Sequence, residues 1–256
     1  MKPKKSLGQH FLKSRFHLRL IAKNLEIRKD DVILEIGAGE GNLTKFLKKG
    51  KKVIAIEIDP KLIEKLKEKR IENLEIIEKD IREIDLEALI KKYQINKICG
   101  NIPYYLSGLL LRKILELENL PEILVFLLQK ELAQKIASKE KENFLSLAFK
   151  LIGKVKIVAL VGKNHFFPKP KVDSAILKIK FFSSQKPIKF KKSFYEFLKL
   201  GFHQPRKFLI SNLKEKYPQK RLEEIFKTLN FPLNLRAHQL KLNQWLDLFK
   251  KIEEKK

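Results

Sequence analysis

Asp31-Val32-Ile33-Leu34-Glu35-Ile36-Gly37-Ala38-Gly39-Glu40-Gly41 is an apolar run of strand length that stops at three glycines set at alternate positions. Glycines so spaced let the backbone turn sharply and approach a ligand without side-chain interference. The residues after them, 42–49, have helical periodicity, so the unit reads as strand, glycine loop, helix. Gly-x-Gly-x-Gly differs from the Gly-x-Gly-x-x-Gly of dinucleotide folds, and the chain has no Gly-Lys-Ser/Thr phosphate loop.

Outward from that unit, strands and helices alternate. Residues 52–58 form a second strand, after which Asp59 caps a helix opened by Pro60 and running to about Arg70. Residues 74–77 read as a third strand, 86–93 as a short helix, 97–100 as a fourth strand and 107–117 as a helix. The almost wholly apolar 123–128 suits the middle of a parallel sheet, and helical stretches follow at 130–138 and 143–151. Then the rhythm breaks. Residues 155–161 and 174–182 are consecutive strands with no helix between them, a hairpin that closes the sheet. Beyond Pro187 only helical periodicity remains. The expected architecture is α/β: a Rossmann-like, mostly parallel sheet with a closing antiparallel hairpin over residues 1–184, and a small all-helical domain over 185–256.

Charge narrows the class of partner. Lys and Arg number 56 against 30 Asp and Glu, a formal +26. Such an excess costs stability through self-repulsion and is relieved by a polyanion. It is also uneven: from Gln185 onward 18 basic residues face 7 acidic ones, about twice the excess per residue of the rest. A heat-adapted, charge-rich surface explains many charges but not their lopsided sign. Nucleic acid is the first candidate. No apolar run approaches the roughly 18 residues of a membrane span, and the start of the chain has no apolar signal core, so a cytoplasmic location is expected. The single cysteine, Cys99, leaves no internal disulfide and no cysteine-based zinc cluster.

Three strand ends then carry chemistry. Beside the loop Gly37, Gly39, Gly41 stands Glu57, closing the second strand 20 residues after Gly37, where an acid accepts hydrogen bonds from ribose hydroxyls. Asp80 ends the third strand, and its carboxylate with the Ile81 N–H can face an adenine edge. Adenosine with no phosphate requirement points to S-adenosyl-L-methionine, with S-adenosyl-L-homocysteine as product and no metal. The fourth strand ends in Asn101-Ile102-Pro103-Tyr104-Tyr105. An adenine amino group is a poor nucleophile because its lone pair is delocalised. The Asn101 amide oxygen and the Ile102 carbonyl, accepting its two N–H bonds, favour the pyramidal nitrogen that attacks. Pro103 fixes the turn and Tyr104 offers a face to the base. The sulfonium methyl is already activated, so catalysis is alignment and complementary dipoles.

Together with residues 5–12 (Lys-Ser-Leu-Gly-Gln-His-Phe-Leu) and 166–174 (Phe-Phe-Pro-Lys-Pro-Lys-Val-Asp-Ser), these motifs make the chain resemble the ribosomal RNA adenine dimethyltransferases of the small subunit, over most of residues 4–213. The erythromycin-resistance methylases are cousins. The resemblance implies that Gln9, His10 and Leu12 pack over the donor's methionine end, and that Gly37, Glu57, Asp80 and Asn101 contact the donor. It further implies that Tyr104 and Phe166 sandwich an everted adenine. Residues 201–207, Gly-Phe-His-Gln-Pro-Arg-Lys, are similar to the start of the family's helical domain. Arg206 and Lys207, with Lys4 and Lys5, are accordingly expected to grip RNA phosphates. The chain departs from the family at Tyr105, where Asn or Ser is frequent, and at His10, where many members have Asn. The implied activity is dimethylation at N6 of two adjacent adenosines in a stem-loop near the 3′ end of small-subunit rRNA. A monomer would act on an immature subunit, with a part in its biogenesis. The alternatives are a large-subunit (23S) adenine methylase and a non-catalytic nucleic-acid-binding factor.

Overall fold

The computed structural model describes Lys4 and residues 7–138, 140–183 and 188–254. Among them, in chain order, run β1 (Phe11–Leu12), α1 (Arg15–Asn24), β2 (Val32–Ile36), β3 (Lys52–Glu57), α2 (Pro60–Lys67), β4 (Leu74–Glu78), α3 (Leu86–Tyr93), β5 (Lys97–Asn101), α4 (Tyr104–Glu116), β6 (Ile123–Gln129), α5 (Lys130–Ala137) and α6 (Phe144–Ile152). These are followed by β7 (Gly153–Val161), β8 (Phe166–Phe167), β9 (Ser174–Phe181), α7 (Ile188–Gly201), α8 (Leu209–Leu213), α9 (Gln219–Thr228) and α10 (Leu242–Glu253).

Seven strands form one sheet in the order β4-β3-β2-β5-β6-β9-β7. The pairs β3/β4, β2/β3, β2/β5 and β5/β6 are parallel, and β9 runs antiparallel to β6. The expected α/β fold is therefore observed. Its strand order reverses between β2 and β5, and a ligand crevice opens at the carboxyl ends of strands at such a point. Gly100 lets β5 lie tight against β2 there: a Cβ on it would stand 2.4 Å from the Ile36 carbonyl oxygen. Burial explains the strands' composition. Every residue of β2 is buried, as is β6 from Ile123 to Leu128.

Local signals also behave as expected. The Asp59 side chain accepts the Lys61 N–H and Pro60 opens α2. One expectation fails: residues 42–49 do not form an α-helix but turns around a single 3₁₀ turn, Thr44–Phe46. Eight residues between Gly41 and Gly50 give only about two turns, too few for a helix to hold itself without a long buried face. In contrast α4 starts at Tyr104, earlier than the expected 107.

The chain divides into two compact units, residues 1–134 with 154–183 and residues 135–153 with 184–256. The boundary expected between 184 and 185 falls outside the described residues. The second unit holds α6 as well as the helices after residue 187. Its core is aromatic: Phe197 meets Trp245 edge-on at 5.6 Å and Phe249 at 5.3 Å. No helix among the described residues is long and apolar enough to cross a membrane.

Candidate active site

The crevice predicted from three strand ends exists. It is lined by the loop after β2, the ends of β3, β4 and β5, and residues 7–12 of the N-terminal segment. Gly37, Gly39 and Gly41 all have positive φ (72°, 59° and 70°), a region where side chains with a Cβ are strained. Gly37 and Gly39 line the crevice, together with Ala38, Glu40 and Asn42. Gly41 does not; a Cβ there would meet Leu66 at 2.6 Å, so this glycine lets α2 pack against the loop.

Glu57 is buried and aims its carboxylate back at the loop. Oε2 accepts the Gly39 N–H at 2.8 Å, while Oε1 accepts those of Ile58 at 2.9 Å and Asp59 at 3.0 Å. Three backbone donors fix the rotamer, leaving one lone pair of Oε2 for a ligand. Asp80 and Ile81 also line the crevice. Arg82, unforeseen from sequence, takes the Asp80 carboxylate: its Nε and Nη2 donate to Oδ2 at 3.0 and 2.7 Å, and its N–H to Oδ1 at 2.8 Å. These bonds hold the Asp80 carboxyl below the usual carboxylate range. Lys113 of α4 was also not foreseen. Its ammonium donates to the carbonyls of Ile81, Arg82 and Ile84, tying the turn after β4 to the helix that begins at Tyr104.

At the end of β5 the Asn101 Nδ2 donates to the His10 carbonyl at 2.7 Å. The amide's orientation is thereby set, and its oxygen remains the uncommitted acceptor. The Ile102 N–H is held by the Leu127 carbonyl. Tyr104 is half-buried, its hydroxyl 2.8 Å from Ser174 Oγ, its ring stacked on His10 with centroids 5.8 Å apart. Burial pushes the Tyr104 phenol up, partly offset by Ser174. Tyr105 is exposed at the rim.

The N-terminal segment is strapped across this edge. Lys4 Nζ and Gln9 Nε2 each donate to Asp59, both at 2.9 Å, and His10 Nδ1 lies 2.8 Å from the Pro168 carbonyl. Strand β1 pairs with β8, Leu12 opposite Phe166. Gln9, His10 and Leu12 line the crevice as expected.

One expected residue of the base pocket lies elsewhere. Phe166 is 5% exposed and packs in the core cluster with Leu12, Leu18 and Val161 rather than at the crevice, whereas its neighbour Phe167 is 58% exposed. Alternation along β8 sends one ring inward and the other out. Lys4 is half-exposed and paired with Asp59. Lys5 lies outside the described residues. Arg206 and Lys207 are exposed.

Glu35, two residues before Gly37 and without an expected role, is a buried acid on the crevice wall. Among the described residues its Oε2 meets no hydrogen-bond partner. Burial raises its pKa to about 8 and the charge of Glu57 adds to the rise, while Thr44 offsets part of it. A carboxyl protonated at neutral pH therefore stands on the crevice wall.

Strand order, glycine loop, two strand-end acids and an oriented amide define an α/β protein with a polar crevice at the carboxyl ends of its parallel strands. A family model described as ribosomal RNA adenine dimethylase matches residues 1–254, and the chain belongs to that family. It is 40% identical to the ribosomal RNA small subunit methyltransferase A of Mycoplasma capricolum subsp. capricolum, covering 98% of each chain. A dimethyladenosine transferase from Plasmodium falciparum superposes with a TM-score of 0.83 at 27% identity, over 96% of this chain and 98% of that one. The 23S rRNA methyltransferase ErmE gives 0.77 at 26%, over 95% and 99%.

Proposed function

We propose that this enzyme transfers methyl groups from S-adenosyl-L-methionine to N6 of two adjacent adenosines in a stem-loop near the 3′ end of small-subunit rRNA. The products are N6,N6-dimethyladenosine and S-adenosyl-L-homocysteine. The fit of the donor rests on the crevice. Gly37 lacks the side chain that would fill space toward the Asn101 carbonyl and Pro103. The loop's Gly-x-Gly-x-Gly spacing, which departs from the Gly-x-Gly-x-x-Gly of pyrophosphate-binding folds, argues against NAD. Glu57 would hold the ribose, Asp80 and the Ile81 N–H the adenine edge, and Gly37, Gly39, Gln9, His10 and Leu12 the methionine end. When bound, the donor supplies an electrophilic methyl carbon.

The chain's own residues do the rest. The observation that carries the reading is the Asn101 amide, locked by His10 so that Oδ1 is its free acceptor. Oδ1 and the Ile102 carbonyl would accept hydrogen bonds from the N6 amino group and favour the pyramidal nitrogen, and the proton released on methylation would pass to water. Tyr104 stacks the base, with Ser174 fixing its ring. Phe166, buried in the core, supports the wall behind that base. Oriented dipoles of this kind act where charge develops, so no side chain need serve as a base. Arg206 and Lys207 would contact phosphates and set register, not base identity.

A large-subunit substrate has less support, because ErmE is 26% identical against 40% for the small-subunit enzyme. A purely binding factor has no need of the oriented amide. The proposed enzyme works as a monomer in the cytoplasm on immature small subunits and contributes to their assembly. Labelled methyl donor offered to unmodified small subunits, large subunits and naked RNA tests this. Two doubly methylated adjacent adenosines on the small subunit are expected; label confined to the large subunit, or none, refutes it.

A further inference from the structure

A second recess, of about 310 Å³, lies in the first compact unit beside the β6–β9 ladder. Three lysines line it, Lys130, Lys163 and Lys171, with Gln129, Gln134 and the acids Glu131 and Asp173. Both acids are engaged: Glu131 is not free, and Asp173 Oδ1 accepts the Lys163 N–H at 3.0 Å. None of the three ammonium groups has an ion pair among the described residues, although lysines elsewhere in this unit do, such as Lys13 with Glu40 and Lys178 with Glu26. Three cations facing one concavity repel one another, and an anion between them would relieve that cost.

The recess is built into the same wall as the base pocket. The Asp173 carbonyl accepts the Lys130 N–H at 3.0 Å, so this one residue fixes the backbone under two of the lysines. The next residue, Ser174, pairs with Gln129 in the ladder and holds the Tyr104 hydroxyl at 2.8 Å. Adjacent residues, Asp173 and Ser174, thus join the recess to the Tyr104 ring.

We propose that this recess takes a phosphodiester of the RNA strand flanking the target adenosine, a subsite that anchors the backbone while the base is everted. The proposal rests on the RNA-methylating function above. Everting a base costs a few kcal/mol, and charge neutralisation at the adjoining phosphates would offset it without reading sequence. Lysines suit this as point charges.

The test uses the full-length chain, unmodified small subunits and the triple variant K130Q/K163Q/K171Q, followed across a range of salt concentrations. KM should rise about ten-fold or more, and the salt slope should fall by about 2, three contacts at about 0.7 each. Donor affinity, measured by calorimetry, should not move, and the triple Lys→Arg variant should restore KM. A triple Gln variant that matches wild type in KM and salt slope overturns the recess while the function stands. So does a loss that Arg fails to rescue. A wild-type protein that methylates no ribosomal substrate overturns the function and this inference with it.

Discussion

The two ends of the central sheet are both polar, yet they are organised in opposite ways. At the amino-terminal edge Lys97 is 1% exposed and Asp31 fully buried. Lys97 Nζ reaches Glu122 at 3.0 Å and Asp31 at 3.8 Å, Arg28 bridges the same two acids, and Asn96 donates to Asp31 at 2.6 Å. Each charge is answered by another side chain, and the network closes on itself. At the carboxyl-terminal edge the polar groups are held from behind. Glu57 is gripped by backbone N–H groups, Asp80 by Arg82 and Asn101 by a carbonyl, and each keeps an acceptor in reserve. A closed network stabilises and does nothing further, whereas half-spent hydrogen-bonding capacity on a rigid support is what a ligand needs.

Breaking the closed end should cost the most. Lys97→Ala leaves Asp31 and Glu122 to Arg28 and Asn96 alone, empties a buried site, and should lower the free energy of unfolding by about 3–5 kcal/mol, read from the shift in denaturant midpoint. The kcat of the molecules that remain folded should stay near wild type. Asn101→Ala should do the reverse. Methyl transfer should fall by about 10²–10³ in kcat, with RNA affinity by filter binding nearly intact. If RNA binding falls in step, Asn101 serves the structure and the contrast between the two ends dissolves.

The third prediction sharpens the contrast. Glu57→Gln keeps the shape but puts an NH₂ where a carboxylate oxygen accepted backbone N–H bonds, so donor affinity should weaken about 10–100-fold, the scale of one charge-assisted hydrogen bond. Calorimetry with the donor reads it directly, and unchanged affinity would contradict the ribose role. Glu57 is legible in the sequence because strand periodicity and loop spacing put it at a sheet edge. So are Asp80 and Asn101. What sequence does not carry is contact between distant segments. Phe11 and Phe167 pair across two-residue strands too short to show a period, and with them go the strap over the crevice and the inward turn of Phe166. Arg82 and Lys113 look like ordinary surface cations; a role emerges only when α4 folds beside the turn after β4. Residues 42–49 mislead for the opposite reason: local periodicity is present, but the segment is too short for it to prevail.

Glu35 gives the subtlest test, because it stands at the ligand end yet has no closed network, only Thr44 to offset its burial. Its pKa rises from the ordinary 4.5 to about 8, chiefly through burial and then through Glu57. Cys99, opposite it in the β2–β5 ladder, is raised as well and stays a thiol. Between pH 4.5 and about 8 the unfolded chain has released this proton while the folded one retains it. Stability from this group is therefore complete below 4.5, declines through that window and is lost once pH passes about 8. The decline cannot exceed about 1.4 kcal/mol per pH unit. Glu35→Gln removes the titrating group, so the variant's unfolding free energy should be flatter than wild type across the window, with the two curves diverging most at its alkaline end. Glu57→Gln should shift the wild-type slope to lower pH, since it deletes the charge that helps hold the Glu35 proton. Identical curves for wild type and Glu35→Gln would mean that Glu35 is ionised in the folded protein, and that this end of the sheet answers its charges as fully as the other.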